Sequence, residues 1–511
     1  MRNRQRVRRG APRRTTGRAL AIAVAAFVLS PFPGTADPPA PEPTPTARDI
    51  SATPATLTPF TGDIDLEDRL ETAGHGIIAG ERLHEHLVRR FYAAHGWRRV
   101  WDGHPEAAAA LWSEVLRADH HGLDPATFHA VALSGAHALS SVERDLLVSD
   151  AILSYADALA RGAMPVGDRP EEEDLRPEPV DVVGVVDSAL SAPEPAEPIE
   201  LLAPSSPQYL AMQRAYADYL ALAASDRSSV GGKAYRSAAR LSAAEALRRA
   251  RQIAINIERL RWLPRDMPPD RLVVDTTVAR LQLFRGNVPV FTTRVVVGEF
   301  DKQTPELQAV VEDVLFNPPW NIPPSIVKKE ILPKLARNRA YLADHHMRWR
   351  GPIAIQQEAG PYSALGRLKF EMNDRFDVYL HDTPEKFRFQ AADRRMSHGC
   401  VRVEDPEELA SLLLGESPQA IDQGIAVNRT HSRKLPKPLP VFIVYRTAVV
   451  ESDGSIVLRN DPYDRDPAIW AYLSHAREVL MAQRSVGRSA EKARTAQAAT
   501  TIAQKTATIG P

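Results

Sequence analysis

The chain has one cysteine, Cys400, among 511 residues. An internal disulfide is therefore impossible, and so is a zinc site built on several thiolates. Metal-protease spacing is also missing: there is no His-Glu-x-x-His, and the pairs His120-His121 and His345-His346 are sequence neighbours that do not readily converge on one ion. No metal and no cofactor is expected. Acid is absent from residues 1–36, which hold eight arginines (Arg2, Arg4, Arg6, Arg8, Arg9, Arg13, Arg14, Arg18). Without that segment the chain has 56 basic against 64 acidic residues, a net of −8. A mildly acidic body lacks the basic surface that phosphate contacts require, so no nucleic-acid partner is expected.

Long apolar runs are missing too. The run Ala19 to Leu29 has 11 residues, short of the ~20 that span a bilayer. It follows the arginines and precedes Gly34-Thr35-Ala36, so residues 1–36 read as a secretory signal peptide cleaved after Ala36. Retention as an N-terminal anchor is the alternative. No cysteine follows the run, which excludes lipoprotein processing. Export gives the single cysteine meaning, because secreted proteins usually pair their thiols. Cys400 is an inert buried thiol, an intermolecular partner or a reactive nucleophile.

What is present is ordinary globular material, 44% hydrophobic and 25% charged. Residues 37–60 carry seven prolines and read as a Pro-rich linker. From 61 to 264 the apolar spacing is helical: Leu83, Leu87, Phe91 and Tyr92 share one stripe, and Ala108, Leu111, Trp112, Val115 and Leu116 another. Gly122-Leu123-Asp124-Pro125 is a turn launching a helix with Asp124 as its cap. The helical region is interrupted at 164–207, where nine prolines and Glu171-Glu172-Glu173-Asp174 suggest a solvated linker. Period-two patterning begins near 271. Leu272-Val273-Val274, a hairpin about Arg285-Gly286-Asn287, Phe376 to Leu380, Gly424 to Val427, Leu439 to Tyr445 and a hairpin over Thr447–Leu458 read as strands. Pro324–Leu335 and Pro406–Leu414 read as short helices, 467–483 as a further helix and 484–511 as a disordered tail. The fold class is α+β, with a helical domain before a β-rich one over 268–460.

The chemistry concentrates at Tyr379-Leu380-His381-Asp382 and, fifteen residues on, Ser397-His398-Gly399-Cys400-Val401-Arg402-Val403. Thiol attack needs the thiolate, and an imidazole can take the proton. His381 and His398 are both candidates for that base. Gly399 lets the backbone pass close to a ligand, and the N–H groups of such a turn can converge on an oxyanion.

The pattern His–x15–Ser-His-Gly-Cys-Val-Arg resembles the signature of the YkuD-type L,D-transpeptidase domain. Val296-Val297-Gly298, Thr304-Pro305, Asn317 to Pro324, Gly360-Pro361 and Leu365 to Phe370 are similar to its YcbB branch, as is Asn256 to Pro264. Phe91-Tyr92, Trp101 and the Gly122–Pro125 turn are similar to that branch's scaffold domain. The resemblance spans about residues 70–460. It implies a helical scaffold followed by a mixed β-sandwich-like catalytic domain with short helices. It also implies Cys400 as nucleophile, His381 as general acid/base, Asp382 as the residue whose carbonyl orients that histidine, and His398 and Gly399 in the oxyanion turn. Arg402, Ser397, Trp320 and Tyr362 fall to substrate binding. The implied partners are peptidoglycan tetrapeptide stems, carbapenem-type β-lactams as inhibitors, and outer-membrane proteins as acyl acceptors; the implied compartment is the periplasm. The chain departs from the branch in two places. Asp226 to Leu241 is too short for the usual peptidoglycan-binding module, and Ala336 to Gly360 is a short capping insertion.

Overall fold

The computed structural model describes residues 64–72, 76–135, 139–224 and 241–474. The expected signal peptide, the 37–60 linker, residues 225–240 and the 484–511 tail lie outside the described residues. No helix among the described residues is long and apolar enough to cross a membrane.

The N-terminal half is helical, as its 3.6-residue spacing predicts. Helices run over Glu85–Ala94, Pro105–Leu116, Ser141–Arg161, Pro207–Ala224 and Ala243–Arg261. Ser140 caps the longest, Ser141–Arg161, by a reciprocal box with Glu143. That helix is buried on nearly every face because the others surround it. Phe91 stacks on Trp101, while the Trp101 indole and the Tyr92 hydroxyl both meet Ser149, at 2.8 and 2.7 Å. Asp124 accepts from Ala126 N–H as expected of a cap, although the element it starts, Pro125–Phe128, is a single 3-10 turn.

The C-terminal half is a nine-stranded mixed sheet. Its order is Arg395–Ser397, Val288–Gly298, Val401–Val403, Leu380–His381, Leu368–Met372, Leu307–Phe316, His431–Val444, Arg271–Asp275 and Arg280–Arg285. The last strand pairs back on Val288–Gly298, so the sheet closes around its own core. Gly286 and Asn287, both at positive φ, make the two-residue turn of that hairpin. Alternation divides the strands: Leu272, Val274, Val441 and Ile443 face the inner core, whereas Val273, Phe442 and Val444 join the helical core. The Ala243–Arg261 helix therefore shares one apolar layer with the sheet's outer face.

Three expectations differ. The 164–207 segment is folded: it carries helices Val182–Ala189 and Ala196–Glu200 and buries Leu175, Val183, Val186, Ile199 and Leu202. Pro195 precedes the helix Ala196–Glu200 and Pro207 opens Pro207–Ala224, positions where proline costs little. Residues 424–427 are the end and C-cap of the helix Pro418–Ala426, started by Ser417 as cap and Pro418 just inside it. The strand at 376–380 shrinks to Leu380–His381, because Asp374 accepts from Phe376 and Val378 N–H and Asp377 takes a positive φ. Within residues 467–483, the helix Asp466–Leu473 is described; positions beyond 474 are not.

Candidate active site

Parallel pairing sets the site. Leu380–His381 runs beside Val401–Val403, with Leu380 opposite Val401 and His381 opposite Arg402. Val401 N–H donates to Tyr379 O at 3.1 Å, which brings Cys400 beside Tyr379. Leu380, Val401 and Val403 point into the core. Alternation sends Tyr379, His381, Cys400 and Arg402 to the opposite face. Lys369, on the next strand, is the register partner of His381 and joins them.

His381 is buried, and its Nδ1 donates to the Asp382 carbonyl at 2.5 Å, leaving Nε2 to face the site. That carbonyl is itself immobilised. The Asp382 carboxylate accepts from Arg367 N–H at 2.7 Å and Thr383 N–H at 2.6 Å and pairs with Lys386 at 2.8 Å. Gly366, at φ +60°, is required there, since a Cβ would lie 2.2 Å from Asp382 Oδ2. Burial, reinforced by Arg402 and Lys369, pushes the imidazole pKa down to about 3.

Cys400 is half-buried, and its Sγ lies 3.9 Å from the Asp377 carbonyl. Burial pushes the thiol up; the neighbouring Tyr379 backbone N–H and hydroxyl and the Lys369 ammonium pull the other way. Burial and the neighbouring Cys400 hold the Tyr379 phenol well above its ordinary range, with Trp320 acting the other way. Lys369 Nζ sits 4.1 Å over the Tyr379 ring and 2.9 Å from Glu371. Burial thus favours the neutral form of both the thiol and the imidazole.

The turn is wired internally. Ser397 Oγ donates to the Cys400 carbonyl at 2.6 Å and accepts from Gly399 N–H at 3.2 Å. Both Ser397, expected at the substrate, and the Gly399 N–H, expected at the oxyanion, are occupied within the turn. Gly399 has φ +116°, and its carbonyl accepts from Thr304 Oγ1 at 2.7 Å. Thr304 Oγ1 in turn accepts from Gly298 N–H at 2.8 Å. The His398 ring is held by Glu330 at 2.5 Å, on the helical turn Val327–Ile331, so its side chain belongs to a surface pair.

Arg402 donates to Glu385 at 2.5 Å, and its Nε is buried without a partner. Trp320 reaches the site through Tyr379. Tyr362 stacks on His346, with ring centroids 3.5 Å apart, and shows no contact with Cys400 or His381. Tyr379, Lys369 and Thr304 are the site residues that sequence reasoning quoted within motifs without giving them a role. Only the strand register reveals Lys369 and Tyr379 as neighbours of the pair.

Residues 269–443 match the family described as the L,D-transpeptidase catalytic domain, YkuD, and residues 86–215 match the family described as the Scaffold domain. The second match runs through the segment expected to be a linker. A putative L,D-transpeptidase of Haemophilus influenzae is 33% identical over 241 residues, covering 43% of this chain and 48% of that protein. The chain thus spans about half the length of the curated relative it matches. Among solved structures, an L,D-transpeptidase from Mycobacterium smegmatis aligns at 11% identity and TM-score 0.20 over 34% of this chain and 58% of its own. L,D-transpeptidase 3 from Mycobacterium tuberculosis aligns at 12% and 0.19 over 35% and 61%.

Proposed function

We propose, from the premise that residues 269–443 are an L,D-transpeptidase catalytic domain, that the protein forms 3→3 crosslinks in periplasmic peptidoglycan through an acyl-enzyme on Cys400. The observation that carries the reading is the shared face of Cys400, His381 and Tyr379, set by strand register. Cys400 attacks the carbonyl of the third residue of a tetrapeptide stem while His381 Nε2 takes the thiol proton. Because both groups rest neutral, proton transfer accompanies attack. Tyr379, beside the sulfur, stabilises the thiolate and then the oxyanion, together with the Cys400 N–H, since the Gly399 N–H is held by Ser397. Collapse expels the terminal D-alanine, protonated by His381. The thioester is then attacked by a diaminopimelate amine of a second stem, with His381 as base. Arg402 and Trp320 hold the donor stem. The reading keeps the resemblance to the YcbB branch without its peptidoglycan-binding module, with export by the 1–36 signal.

Incubation with tetrapeptide-rich sacculi tests it. Crosslinked dimers lacking one D-alanine support crosslinking. Tripeptides alone mean that water is the acceptor, and stems joined only to a supplied outer-membrane protein mean anchoring; either result displaces the crosslinking reading.

A further inference from the structure

The acidic segment that follows the long scaffold helix has no part in the chemistry above, yet it touches both walls of the nucleophile's turn. Glu173 forms a parallel bridge with Glu306. Asp174 N–H donates to Glu306 O at 2.9 Å, and Glu306 N–H to Glu172 O at 2.6 Å. The Glu173 carboxylate is fully buried, 3.7 Å from Arg259, with the charges of Arg465 and Arg169 also acting on it. Arg465 lies 3.6 Å from Glu306 and donates to Gln303 Oε1 and to the Thr304 carbonyl. Thr304 is the residue whose hydroxyl holds Gly399 O. On the other wall, Arg375 donates to Asp174 Oδ2 at 2.8 Å and to Glu171 O at 3.3 Å. Arg375 belongs to the loop that Asp374 folds and that ends in the Asp377 carbonyl facing Cys400 Sγ.

We propose that Glu171–Asp174 is a positioning strap, by which the scaffold fixes the two segments that flank Cys400. An ion pair as exposed as Arg375–Asp174 contributes little by itself. Here it is anchored by a two-bond backbone bridge and a buried carboxylate, so loosening it frees the 374–377 loop. The strap acts on the nucleophile through that loop and through Thr304. The groups that act on the sulfur itself are Tyr379, Lys369 and Asp374, and His381 and Arg402 share its face of the sheet. This inference rests on Cys400 being the nucleophile.

The test uses the full chain and two readings. One is the rate of iodoacetamide alkylation from about pH 6 to about pH 10, specific because there is one cysteine. The other is the rate constant for carbapenem acylation at saturation. Asp174→Ala and Arg375→Ala are each expected to lower that rate constant roughly fivefold, the scale of coupling through packed and hydrogen-bonded networks. The half-saturating concentration and the thermal midpoint stay near wild type. The alkylation midpoint falls toward the ordinary thiol value of about 8.5. The double variant is no worse than either single, and the swap Asp174→Arg with Arg375→Asp recovers part of the rate. Single variants indistinguishable from wild type, additive losses, or losses that merely follow a lowered thermal midpoint would overturn the strap. Should Asp174→Ala fail to fold, the half-exposed Arg375→Ala decides. If wild type takes no carbapenem, the functional reading fails, and alkylation still decides the strap.

Discussion

Two of the buried charge clusters in this molecule are built on opposite principles. At the interface between helices and sheet, Arg259, Arg465 and Arg169 face Glu173, Glu306 and Asp466, signs balanced and cations held by several partners. On the catalytic face, Lys369 and Arg402 border His381 and Cys400, and burial drives both His381 and Cys400 toward their neutral forms. The first cluster balances opposite charges that folding has desolvated, with both Glu173 carboxylate oxygens left without a hydrogen bond. The second keeps its reactive groups uncharged until substrate supplies a place for charge to go. Perturbed titration marks both, so it is the imbalance, with a nucleophile beside a base, that distinguishes a site from a structural network.

The largest expected effect breaks the catalytic side. His381→Ala should slow acylation by roughly 10²–10⁴-fold, the usual worth of a positioned acid/base. Arg402→Lys should cost far less, because the neighbouring positive charge survives. Saturating acylation kinetics check both, and equal losses would mean that the roles are misassigned. On the interface side, Arg259→Met should leave acylation chemistry intact where the protein folds. It should destabilise by about 3–5 kcal/mol, because buried Glu173 and Asp466 lose their cation. Denaturant unfolding measures this.

The two clusters should also oppose each other in pH. Folded His381 is neutral down to about 3, while an unfolded histidine protonates near 6.5. The unfolded state then binds more protons between those values, so this residue's contribution to stability is lost as pH falls through that window. Glu173 and Glu306 are held above the usual carboxylate range by burial. For them the folded state binds more protons, so their contribution is present below about 4.5 and lost as pH rises through the raised values. Unfolding of His381→Gln and of Glu173→Gln across pH should remove one slope each; the same slope removed by both would erase the contrast. The smallest effect belongs to Glu330→Gln. It severs the His398 pair at the surface and should change acylation less than about threefold, since exposed ion pairs are worth little.

Much of this was legible in the sequence where local chemistry decides. The His381–Cys400 spacing, the Gly286-Asn287 hairpin and the alternation at Leu272–Val274 all carry their own signal. What escaped depends on pairing. Lys369 and Tyr379 look like ordinary strand residues until register sets one opposite His381 and the other against Cys400. Tyr463 and Arg465, beyond the expected end of the β-rich domain at 460, reach back to Gly298 and Thr304, a long-range contact no window reveals. Proline density misdirected the reading of 164–207, because prolines at helix starts and turns look the same as prolines in a linker. Ile425-Ala426-Val427 read as strand because the Ser417-Pro418 start signal lies a full helix upstream.

That Cys400 is the acyl carrier is tested most directly by where an acyl group lands. The protein is incubated with a carbapenem, weighed intact and peptide-mapped. It should carry one adduct, on the peptide containing Cys400, formed much more slowly in His381→Ala and absent in Cys400→Ala. No adduct on wild type, or an adduct that survives Cys400→Ala, would contradict it.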